Sequence, residues 1–112
     1  MLRDIQSGAP EEQGRDRMPL GRPLSLYAVV FRFDHPATKT KAIAYLNSIS
    51  VSRWSQFDDI WLVQSAKSAT EIRDELFRRT GPGGKIVVAL LAGFAAWLGF
   101  DEPAESWLTQ HL

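Results

Sequence analysis

The chain has 112 residues, 45% of them hydrophobic, with 13 basic residues balanced by 13 acidic ones and no cysteine. That length and composition suit one domain with a real core. The charge balance leaves no bulk basic excess for nucleic acid, so binding of that kind needs charges sorted onto one face. The lack of cysteine excludes disulfides, thiolate metal sites and a cysteine nucleophile.

Residues 1–22 read MLRDIQSGAPEEQGRDRMPLGR, with few large apolar side chains. Such a stretch buries too little surface to offset an ordering entropy of roughly 1–2 kcal/mol per residue. It predicts a disordered tail over 1–22 and a folded domain over 23–112. Met18 is a candidate start of translation, and a partner-binding tail is the other reading.

Residues 24–33 (LSLYAVVFRF) alternate as a strand, with Tyr27, Val29, Phe31 and Phe33 on one face and Ala28, Val30, Arg32 and Asp34 on the other. Both faces stay apolar as far as Arg32, which places the strand centrally in a sheet. His35-Pro36 ends it. Residues 38–49 repeat Ala42, Tyr45, Leu46 and Ile49 at helical spacing. Residues 51–57 and 60–65 form two strands around an Asp58-Asp59 turn.

Ser68 and Glu71 have capping-box spacing at the head of a second helix. Its inner face carries Ile72, Leu76 and Phe77, and Arg73, Arg78 and Arg79 pair with acids on the same helix. Gly81-Pro82 stops it, with the glycine expected in a left-handed cap. Residues 85–92 (KIVVALLA) make a buried strand, and 94–100 a short edge strand or loop. Asp101 and Pro103 open a final helical turn or two, which Trp107 and Leu108 dock on the sheet or on a second subunit.

The order β-α-β-β-α-β defines the split βαβ, ferredoxin-like motif. The predicted class is α+β: a four-stranded antiparallel sheet with two helices on one face and a C-terminal extension. The longest apolar run, residues 86–92, is far shorter than the ~20 residues of a membrane helix. A cytoplasmic protein with no membrane partner is expected.

Several stretches, IWLVQS, KSATEIRDEL, KIVVALLAG, AAWLGF and SWLTQHL, occur in an order and spacing that resemble the SinR-like proteins. These are small bacterial relatives of the ferredoxin-like CRISPR-associated adaptation nuclease and of the VapD toxins. The resemblance covers about residues 25–112 and implies a homodimer. In the nuclease relatives an aspartate ending strand 1 of each subunit lies near the dimer axis and can hold a divalent metal. Aligning on Pro36 without a gap puts Arg32 at that position. Asp34 takes the metal-ligand role only through a two-residue shift, which keeps the side-chain facing.

The expected function is therefore a small dimeric protein, non-catalytic, with a regulatory, protein-binding or weak nucleic-acid-binding role and no cofactor. The alternative is a metal-dependent endoribonuclease using magnesium or manganese at Asp34, and a small-molecule binding module is a third reading. Arg32, Lys39, Lys41 and Arg53 are the candidate phosphate contacts, because guanidinium forks suit phosphate geometry. The four tryptophans read as core or interface more readily than as base-stacking platforms.

Overall fold

The computed structural model describes residues 22–93 and 95–112; residues 1–21 of the expected tail lie outside them. Its elements are β1 (Ser25–Arg32), α1 (Pro36–Ile49), β2 (Ser52–Trp54), β3 (Ile60–Ser65), α2 (Ala69–Thr80), β4 (Lys85–Leu90) and α3 (Glu102–His111). The sheet order is β2-β3-β1-β4, and every neighbouring pair is antiparallel. With α1 and α2 on one face, this is the α+β, ferredoxin-like arrangement the sequence predicts.

The period-two pattern of β1 explains its central place. Tyr27, Val29 and Phe31 are buried beneath the helices, together with Trp61 and Val63 of β3. Ala42, Tyr45 and Leu46 of α1 and Ile72 and Leu76 of α2 close over them. Tyr27 satisfies its hydroxyl by donating to the Lys67 carbonyl at 2.7 Å. The Tyr45 ring carries the Arg79 guanidinium at 4.8 Å, joining the two helices by a cation–π contact. Phe77, expected inward, is 40% exposed, because Ile72 and Leu76 already fill the narrow stripe α2 presents to the sheet.

The capping box forms as expected: Ser68 Oγ accepts from the Glu71 amide at 3.1 Å, and Glu71 accepts from the Ser68 amide at 2.9 Å. Arg22, which the sequence assigns to the tail, is paired with Glu71. Burial pushes the Glu71 carboxyl up, but the Ser68 amide and the Arg22 guanidinium outweigh it and hold the pKa below its usual value.

Gly81 ends α2 with φ 77° and ψ −175°, a region open essentially to glycine alone rather than the left-handed cap expected. Its amide still donates to the Phe77 carbonyl at 2.8 Å. Gly81→Ala is expected to lower stability by about 1–3 kcal/mol. Urea denaturation checks this, as a lower midpoint at an unchanged slope.

Glu75 accepts from both Arg78 and Arg79 on the solvent side of α2. These bonds hold its carboxyl down at about 2. A depressed carboxylate contributes stability above its unfolded-state pKa and loses it as pH falls through the folded value. Glu75 therefore adds to acid sensitivity between about pH 4.5 and about pH 2. Glu75→Gln should flatten that part of a stability-versus-pH curve and leave its shape above pH 5 unchanged.

Several boundaries differ from the sequence reading, β1 by one residue at each end and four others more informatively. Helix α1 starts at Pro36, two residues before Thr38, because proline suits the first helical turn. Strand β2 stops at Trp54 instead of running to 57, since its indole and the Phe57 ring turn aside to meet Phe100. Strand β4 ends at Leu90 and, among the described residues, 91–100 form no strand. Helix α3 runs for 10 residues, longer than the turn or two expected. The Asp101 carboxylate caps it by accepting from the Ala104 amide at 3.2 Å.

Candidate functional site

The sheet has a second face, and the described residues cover it only in part. Trp54, Ala104 and Leu108 form a small buried cluster there, joined by Leu62, Trp97, Phe100 and Trp107. Two indole N–H groups fasten α3: Trp54 Nε1 donates to the Ala104 carbonyl at 3.1 Å and Trp107 Nε1 to Ser52 Oγ at 2.7 Å. The β1–β4 half lies outside this cluster. Val30 is 38% exposed and its cross-strand partner Val87 58%. Ala28 and Ala89, the next pair on this face, continue the apolar strip. Strand β4 is also a sheet edge. Leu91 donates its amide to Leu26, so by the alternation of an antiparallel ladder Ile86, Val88 and Leu90 turn their backbone groups outward.

The strip ends in charge. Arg32 lies directly opposite Lys85, two cations side by side on one face. Asp59 relieves them, accepting from Arg32 at 2.9 Å. That hydrogen bond, with the charge of Lys39 as a lesser cause, holds the Asp59 carboxyl below its usual value. Asp59 is therefore more than a turn residue, and its own carbonyl extends the β1–β3 ladder by accepting from the Phe31 amide.

The four candidate phosphate contacts are not brought onto one surface. Arg32 is on the outer sheet face, and Lys39 sits in the first turns of α1 at the same end of the molecule. Lys41 is exposed farther along α1. Arg53 is opposite the buried Val63 and so belongs to the helix-covered face, its guanidinium 5.8 Å from the Trp61 ring centre. Lys85 joins Arg32 instead, a residue that only the strand register reveals. The outer face of β1 and β3 carries Leu26, Ala28, Val30, Ile60 and Leu62, aliphatic groups that offer no ring for a base to stack on.

Asp34 and His35 are exposed in the turn between β1 and α1. Among the described residues no group of three or more His, Cys, Asp or Glu side chains is placed to hold a metal ion. Asp59, the carboxylate just before β3, is already engaged by Arg32. Magnesium wants carboxylates and phosphate together, so the donor set of one chain does not fit it. No family model, curated protein or solved structure matches the chain.

Both buried tryptophans, Trp54 and Trp61, are core residues, and Trp97 and Trp107 are half-buried against the C-terminal cluster. Among the described residues no helix is long and apolar enough to cross a membrane.

Proposed function

We propose that this chain is a non-catalytic binding domain of the SinR-like kind, which pairs with its own copy across the uncovered half of the sheet and acts in the cytoplasm through protein contacts. The observation that carries this reading is the apolar strip of Ala28, Val30, Val87 and Ala89 beside an edge strand that no described strand pairs. An exposed flat edge with apolar neighbours is a place where chains associate unless something covers it. Strand β4 carries no proline, and its one charge, Lys85, sits at the end. Isologous contact suits such a strip, because each copy offers the same aliphatic surface.

The non-catalytic part of the reading draws on the end of β1. A guanidinium stands there, with its own carboxylate partner. An arginine at that position would repel a divalent cation. Sorted as they are onto both faces of the sheet, the basic side chains support at most weak contact with nucleic acid.

Two measurements test this. Gel filtration with light scattering should give twice the chain mass, and Val87→Glu should give the monomer with unchanged circular dichroism, since Val87 already tolerates water. A wild-type monomer at all accessible concentrations would sink the dimer. Incubation with labelled RNA and DNA plus magnesium or manganese should leave both intact. Cleavage abolished by Asp34→Ala would instead establish the nuclease.

A further inference from the structure

We propose that the cleft between the outer sheet face and α3 binds one uncharged, largely apolar small molecule. The cleft has a volume of about 670 Å³, within the range of roughly 300–1,000 Å³ typical of small-molecule sites. Leu26 and Leu62 form its floor, and Trp54, Trp97 and Phe100 supply aromatic walls.

Charge selects the ligand class. None of the described lining residues is Asp, Glu, Lys or Arg, and His111 is the single titratable side chain among them. A charged ligand would give up its water there and find no opposite side-chain charge among the described lining residues in exchange. The indole donors beside the cleft are also committed. The Trp54 and Trp107 N–H groups bond within the protein, and His111 Nδ1 lies 2.8 Å from the Trp107 carbonyl with its ring stacked on Trp107.

An extended peptide would bring an N–H and a C=O at every residue, and beyond the outward backbone of Leu90 the lining side chains offer few partners. A flat aromatic or branched aliphatic molecule needs none. It gains from contact with the rings and from leaving water. This cleft is adjacent to the Val30–Val87 strip but made of different residues, so the site does not depend on the dimer.

The test is a titration of the full chain with the neutral dye N-phenyl-1-naphthylamine, read by dye fluorescence and by energy transfer from tryptophan. Saturable binding of one dye per chain is expected. Ala96→Trp and, separately, Ala95→Trp place a bulky ring at exposed positions of the cleft. Each should weaken binding about tenfold or more. Phe77→Ala, on the helix layer, should leave it unchanged. Sedimentation at the same protein concentrations separates the cleft from self-association. Fluorescence that never saturates, or wild-type affinity in both filling variants, would overturn the site. So would occupancy that falls as the chain dimerises, which would make a second copy the occupant.

Discussion

Leu46→Ala is expected to destabilise the domain by about 2–5 kcal/mol. Leu46 is 0% exposed and sits where α1 meets the β1–β3 centre of the sheet. Truncation removes the transfer energy of the lost carbons and leaves a cavity that the closed layer above β1 collapses onto only in part. A domain of this size has about 5–15 kcal/mol in total. The loss is thus a large fraction of it and should lower the melting temperature by at least about 8 °C. Thermal and urea unfolding would check it. A shift no larger than that of an exposed change such as Ala44→Gly would show that Leu46 is not part of the central packing.

The elements that were plain in the sequence are those with one dominant physical signal. Tyr27, Val29 and Phe31 alternate with smaller outward residues, and nothing but a strand satisfies that period. Ser68 and Glu71 announce a helix start through two reciprocal hydrogen bonds, both of which form. Two of the misjudged boundaries have a different cause. Residues 55–57 lead to a strand-favouring Phe57, yet the gain from packing Trp54 and Phe57 against Phe100 draws the chain out of the ladder. That contact joins positions more than forty residues apart, and local pattern carries no trace of it. Helix α3 was underestimated for the same reason, since its seat on β2 depends on Trp54 and Trp107 reaching across from opposite partners.

The candidate site was legible only as a list of charges. Which of them share a face follows from register. Arg32 and Arg53 look equivalent along the chain, but the ladder puts one beside Val30 and Lys85 and the other beside Val63. Reading β1 as apolar on both faces correctly placed it in the centre of the sheet. What covers the second face was not legible there. Helix α3 covers the β2–β3 half, and the β1–β4 half keeps Val30 and Val87 in water.

Trp54→Ala should separate the two halves of the molecule. Its ring is the centre of the outer cluster, touching Phe57 at 5.7 Å and Phe100 at 5.0 Å between ring centres. Its N–H is one of the two indole bonds holding α3. Removing it costs about 3–5 kcal/mol at the cluster. The central core of Tyr27, Leu46, Val63 and Leu76 shares no residue with that cluster. The loss should therefore appear first as local opening, with α3 amides at 102–111 exchanging far faster while β1 and β3 keep their order of protection. Hydrogen exchange followed by mass spectrometry reads both regions at once. Trp54→Phe keeps most of the ring contact and should release α3 much less, by about 1 kcal/mol for the lost hydrogen bond plus part of the packing. Equal loss of protection in α3 and β1 would mean that the outer cluster and the core unfold as one unit. In that case α3 would be part of the same cooperative unit as the sheet rather than a separately opening element.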